Sequence, residues 1–130
     1  VSEPVWIDEA LLVRWHDLVL AETGGAKGVR DSGLLNSALA RPTNRYAYEG
    51  LSDLVELAAT YALAIASNHP FVDGNKRAAF MALGMFLEDN GLWLAAEPDD
   101  ATKVMFSVAA GEIGIAELTD WLRPRVVDAP

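Results

Sequence analysis

The chain has 130 residues, 52% hydrophobic and 22% charged, and its 10 Lys and Arg against 19 Asp and Glu leave a net charge of −9. One domain spanning residues 1–130, with a core of its own, is expected at this length, and disordered or low-complexity character is excluded. The lack of cysteine excludes a disulfide scaffold, a thiolate metal site and a cysteine nucleophile. No apolar run approaches the roughly 18–20 residues that cross a bilayer. The opening Val1-Ser2-Glu3-Pro4-Val5-Trp6 carries no basic stretch ahead of an apolar one, so no secretory signal is expected and a cytoplasmic location is. The acidic total disfavours broad binding to nucleic acid or anionic membrane, so neither is expected as a partner; a local basic site stays open.

Periodicity predicts a first helix over about Asp8 to Glu22, capped by Asp8, with Leu11, Leu12, Trp15, Leu18 and Val19 as one buried face. Gly24-Gly25 ends it. Asp31 or Ser32 caps a short second helix through Leu34, Leu35, Ala38 and Leu39, which Pro42 is expected to close. Residues 43–50 then read as an exposed, extended loop. Ser52 or Asp53 caps a strong helix to about Asn68, with Leu54, Leu57, Ala58, Tyr61 and Ile65 on one face. The next begins near Asn75, carries Phe80, Leu83, Phe86 and Leu87, and stops at Asn90-Gly91. Helices over about Asp99 to Ala110 and Ile115 to Arg125 complete an all-α bundle with at most a small hairpin.

Between the two most apolar helices stands His69-Pro70-Phe71-Val72-Asp73-Gly74-Asn75-Lys76-Arg77. Pro70 disfavours helical geometry at His69, so the imidazole should project from a turn. Gly74 precedes a new helix whose first-turn N–H groups have no intrahelical partner and form an anion-binding nest. Lys76 and Arg77 add two cations beside it, one a mobile point charge and one a fork for phosphate oxygens. Asp73 offers a hard oxygen suited to Mg²⁺ shared with phosphates, and His69 a base able to take a hydroxyl proton. Taken singly, Asp73 is an N-cap, Gly74 a turn glycine, Lys76 and Arg77 solvated surface, and His69 a structural helix end. Their coincidence within one short stretch favours phosphoryl or nucleotidyl transfer.

The stretch resembles the signature of the Fic/Doc family, His-x-Phe-x-(Asp/Glu)-Gly-Asn-(Gly/Lys)-Arg. Residues 28–42 (Gly-Val-Arg-Asp-Ser-Gly-Leu-Leu-Asn-Ser-Ala-Leu-Ala-Arg-Pro), 47–49 (Ala-Tyr-Glu) and 59–61 (Ala-Thr-Tyr) are similar to upstream segments of its death-on-curing, or Doc, branch. The resemblance implies a compact all-α single-domain bundle of about six helices with a small flap loop. It implies His69 as the base, Asp73 as the Mg²⁺ ligand, and Gly74, Asn75, Lys76 and Arg77 as the ATP phosphate site. Loop 43–50, with Arg45, Tyr46, Ala47 and Tyr48, falls where the family has its target-docking flap.

Lys76 separates sub-classes. Adenylylating members usually have Gly there, whereas the Doc branch has Lys and is associated with transfer of the γ-phosphoryl. The resemblance therefore implies a toxin that phosphorylates a Ser or Thr of a translation factor such as an elongation factor Tu-like protein. Gly74 departs from the best-known Doc motif, which has Ala, and keeps AMP transfer as the alternative; an inactive nucleotide-binding module is the third reading. Ser52-Asp-Leu-Val-Glu56 is close to the family's self-inhibitory pattern but reads as a helix cap. A separate Phd-type antitoxin is implied instead, with Trp6 or Trp93 as candidate anchors against core packing of the same residues.

Overall fold

Helix α1 (Glu9–Thr23) starts where the Asp8 carboxylate accepts from the Leu11 N–H at 3.3 Å. Helix α2 (Ser32–Glu49) is capped by Asp31, which accepts from Leu34, and α3 (Leu54–Asn68) by Asp53, which accepts from Val55. Helix α4 (Asn75–Asp89), a short strand β1 (Leu92–Leu94), helices α5 (Pro98–Ala109) and α6 (Ile115–Leu122), a 3₁₀ turn (Arg123–Arg125) and strand β2 (Val126–Asp128) follow. This computed structural model describes residues 2–130, so Val1 of the opening segment lies outside the described residues.

Helix α3 is the axis of the bundle and packs against α2, α4, α5 and α6. From Leu57 to Ala66 every residue but Leu63 is buried, and the alanines at 58, 59, 62, 64 and 66 let neighbouring helices approach closely. Tyr61, Ile65, Leu83, Phe86 and Leu87 fill the centre together with Phe71 from the loop between α3 and α4. The Tyr61 hydroxyl accepts from the Ile7 N–H at 3.2 Å. Strands β1 and β2 pair antiparallel, Trp93 opposite Val127, and tie the C-terminus to the end of α4.

Two expectations need correction. Helix α1 buries Leu12, His16 and Leu20, whereas Leu11 (53% exposed), Trp15 (46%) and Leu18 (57%) face outward. Both lines have helical spacing, and the one facing the core is the one that contains a histidine. Second, Pro42 does not end α2. The helix runs through it to Glu49, so residues 43–49 are helical and form no flap loop. Pro42 has no N–H to give the carbonyl four residues back, and continuation depends on contacts beyond it. Arg45 reaches Glu56 (2.6 Å) and the Thr60 hydroxyl (2.9 Å), and Tyr46 meets Trp6 edge-to-face at 5.5 Å between centroids. Trp6, also stacked on Phe86, is thus a packing residue, while Trp93 is partly exposed on β1.

Candidate active site

The segment from His69 to Gly74 joins the central helices α3 and α4, and its shape is set from three sides. His69 caps α3 in the left-handed region, φ 50° and ψ 53°, the single non-glycine residue with positive φ among the described residues. That conformation costs a histidine about 1–2 kcal/mol, so something must hold it. Arg30 does: its Nε donates to the His69 carbonyl at 2.8 Å and its Nη2 to the Asn68 carbonyl at 3.2 Å. The backbone continues the attachment, with Arg30 N–H to Pro70 C=O at 2.7 Å and Val72 N–H to Gly28 C=O at 3.0 Å. Val29 and Phe71 thereby form an antiparallel bridge.

In that bridge the Phe71 N–H and C=O point away from residue 29 and need another partner. Asn75, the first residue of α4, supplies it: Oδ1 accepts from Phe71 N–H at 2.9 Å and Nδ2 donates to Phe71 C=O at 3.1 Å. The same Nδ2 lies 3.4 Å from His69 Nδ1. Phe71 is buried, so its ring anchors the loop while its backbone is stitched to the helix. The third hold comes from α1, where His16 Nε2 lies 2.9 Å from the Asp73 carbonyl oxygen.

The side chains of the motif are freer than its backbone. The His69 and Asp73 side chains are exposed. Asp73 Oδ1 accepts from the Gly74 N–H at 2.8 Å and Oδ2 from the Ala26 N–H at 3.3 Å. Gly74 takes φ 69° and ψ 33°, and no side chain caps α4, so the N–H groups of Asn75, Lys76 and Arg77 are open to an anion. An uncapped helix start thus lies where the sequence reading expected a nest. Lys76 leans onto α5, its ammonium 4.8 Å from the centre of the Phe106 ring, and Arg77 donates to the Thr23 hydroxyl at 2.6 Å. Among the described residues no group of three His, Asp or Glu surrounds a metal position. A single exposed carboxylate beside open helix N–H groups is nevertheless compatible with Mg²⁺, which takes one or two carboxylates and completes its octahedron with water and other oxygens.

His69, Asp73, Gly74, Asn75, Lys76 and Arg77 thus fall together, with Asn75 serving the loop backbone through its side chain. Arg45, Tyr46, Ala47 and Tyr48 fall elsewhere. Arg45 is held beside Glu56 and Thr60, the latter nine residues before His69 in sequence and about 14 Å away along α3. Tyr46 is packed and Tyr48 is exposed. The segment that does border the motif is 24–31. Its role was hidden because the pairing of 28–31 with 69–72 is non-local; the visible hints were Gly24, Gly25 and Gly28, all with positive φ. His16 was missed for its place inside an apolar helix.

This is a helical domain whose central helix pair presents an imidazole, a carboxylate and an open helix N-terminus on one pinned loop. Residues 6–87 match the Fic/DOC family. The chain belongs to the Fic/Doc family, and the relatives it matches are of the Doc type. It is 37% identical over 112 residues to Protein kinase doc of Escherichia phage P1, covering 86% of this chain and 88% of that protein. It is 46% identical over 77 residues to Toxin Doc of Mycolicibacterium smegmatis, covering 58% of this chain and 59% of that protein. No helix among the described residues is long and apolar enough to cross a membrane.

Proposed function

We propose that the chain is a toxin kinase, transferring the γ-phosphoryl of ATP to a Ser or Thr hydroxyl of a translation factor resembling elongation factor Tu. A Phd-type antitoxin holds it in check in the bacterial cytoplasm. The observation that carries the reading is the exposed His69 imidazole and Asp73 carboxylate on the loop that leads into the uncapped N-terminus of α4. The names of the two Doc relatives, a kinase and a toxin, agree with it.

In this reading the α4 N–H groups, Lys76 and Arg77 bind the phosphates, and Asp73 would hold Mg²⁺, which would supply charge neutralisation for the transferring group. His69 accepts the proton of the target hydroxyl as its oxygen bonds to the γ-phosphorus. The bond from that phosphorus to the bridging oxygen breaks, and ADP leaves with the electron pair. The loop is rigid where its backbone is bonded and open where the reacting groups stand, so positioning supplies much of the rate.

One observation favours a second reading, AMP transfer with release of pyrophosphate. The Lys76 ammonium rests over Phe106, which leaves the nest beside Gly74 uncrowded for an α-phosphate. ATP labelled at the α- or γ-phosphorus, incubated with Mg²⁺, the full chain and either a bacterial lysate or purified elongation factor Tu, separates the two. Transfer of γ-label alone, lost in His69→Ala, is expected. Transfer of α-label establishes the second reading, and transfer of neither overturns both.

A further inference from the structure

His16 is one of two histidines in the chain and has no place in the motif. It is fully buried on the Leu12–His16–Leu20 line of α1. Burying an imidazole costs free energy unless its nitrogens are paired, and only one of them is. Nε2 meets the Asp73 carbonyl oxygen, while Nδ1 is buried with no hydrogen-bond partner. A carbonyl only accepts, so Nε2 carries a proton and donates it to this bond. Leucine or phenylalanine would fill this place without orphaning a nitrogen. Packing therefore does not account for a histidine here.

The contacts made by the ring do account for it. The Asp73 carbonyl belongs to the peptide unit between the Asp73 side chain and the first residue preceding α4. Fixing that unit fixes the direction of the carboxylate on one side and of the helix N–H groups on the other. The imidazole also lies 4.4 Å, centroid to centroid, from the Phe71 ring. A Cβ placed on Gly74 would come within 2.9 Å of His16 Cε1 and 3.2 Å of Leu20 Cδ2. The ring thus occupies the space that any side chain at position 74 needs. His16 and Gly74 form a matched pair.

We infer that His16 is a positioning residue of the proposed transfer site: from α1 it holds the Asp73–Gly74 peptide, aiming the Asp73 carboxylate and the open α4 N–H groups at one phosphate. The inference rests on the proposed function, whereas the hold of His16 on the Asp73–Gly74 peptide does not. His16 touches none of the reacting groups and acts through Asp73 and Gly74.

The test uses the full chain with His16→Leu, which keeps bulk but loses the donor, and His16→Gln, whose amide nitrogen reaches close to the Nε2 position. In label transfer, His16→Leu is expected to lower kcat about tenfold to a hundredfold with the target KM held within about twofold. His16→Gln should recover most of that loss. Amide hydrogen exchange at Val72 and Gly74, whose N–H groups are hydrogen-bonded in the parent, should quicken about tenfold or more in His16→Leu while Leu57–Ala66 of α3 is unchanged. A purely packing role would leave kcat per folded molecule and loop exchange at parental values, which overturns the inference; so would equal losses in both variants.

A second pair of variants serves if His16→Leu does not fold. Gly74→Ala should cost less in a His16→Ser background than alone, because the added Cβ no longer meets the ring. Additive costs overturn the matched pair. If the parent protein transfers no label, the proposed function fails by itself. Exchange at Val72 and Gly74 then still decides whether His16 holds the Asp73–Gly74 peptide: quickened in His16→Leu the hold stands, and unchanged it falls.

Discussion

Asn75 is the motif residue whose expected and observed roles differ most, and its removal separates them. As a phosphate ligand it would touch the nucleotide; in the structure its amide is engaged by both backbone groups of Phe71. Asn75→Ala leaves that N–H and C=O without partners at the base of a loop whose aromatic ring is buried. Each hydrogen bond contributes about 1 kcal/mol net, and partial access of water to the rim keeps the sum near 2 kcal/mol. For a chain of this size that is a fall of roughly 8 °C in the melting midpoint. Calorimetric melting and titration with Mg²⁺·ATP analogues read the two effects separately. The expected result is a lower midpoint, a lower kcat, and nucleotide affinity changed by less than about threefold. Asn75→Asp should hold the Phe71 N–H through Oδ1 and lose about half as much stability. An Asn75→Ala protein that melts like its parent but no longer binds nucleotide would refute the stitching role.

Three further perturbations follow from the same geometry. Arg45→Ala removes the bonds to Glu56 and Thr60 and should cost about 2 kcal/mol of stability with the KM for the protein target unchanged; a KM increase at parental stability would restore Arg45 to target docking. Burial raises the Asp53 pKa, but the Arg123 hydrogen bond and charge and the Val55 and Glu56 N–H groups outweigh it, so the carboxyl lies below its usual range. Its stabilising contribution is therefore present above the unfolded-state pKa and lost as pH falls through the folded one. Urea midpoints near pH 7 and about pH 3 should converge between parent and Arg123→Ala at the acid end, with no more than about 1 kcal/mol between them at neutrality because the pair is partly exposed to solvent. Gly25 has φ 123°, and a Cβ there would sit 2.8 Å from Asp73 Oδ2, whereas Gly24, at φ 91°, has open space around it. Both alanine variants should lose about 1–3 kcal/mol to backbone strain, and Gly25→Ala alone should also weaken Mg²⁺·nucleotide binding in titration calorimetry.

The helix boundaries around the site were legible because they are written locally. Asp8, Asp31 and Asp53 each cap the helix they precede, and the run from His69 to Gly74 breaks α3 from α4 within a few residues. Orientation was not. Leu11, Trp15 and Leu18 make as good an apolar line on α1 as Leu12 and Leu20 do, and a hydropathy pattern penalises the correct line for holding His16. Pro42 is a local stop signal overridden by distant partners, since Arg45 and Tyr46 gain contacts with α3 and Trp6 only if the helix continues. The neighbours of the motif were least legible, because residues 28–31 meet it across about forty positions and no periodicity records such a pairing.

The division of labour in the loop bears on how a domain this small can hold a reactive geometry. Of the atoms between His69 and Asn75, the backbone groups of His69, Pro70, Phe71, Val72 and Asp73 are bonded to α3, to residues 28–31, to α1 and to the Asn75 amide. Those holds come from elements separated in sequence, so opening the loop requires several packed elements to yield together, and a left-handed histidine beside a proline persists although it is locally unfavourable. The His69 and Asp73 side chains have looser restraints: a 3.4 Å approach to the His69 ring, and two backbone N–H groups on Asp73, one of them at 3.3 Å. Strong partners there would have to be broken before a phosphate or a hydroxyl could be engaged. Spending the hydrogen bonds on the backbone and sparing the imidazole and carboxylate keeps the cost of positioning in the folding of the bundle, where the buried α3 and α4 side chains meet it.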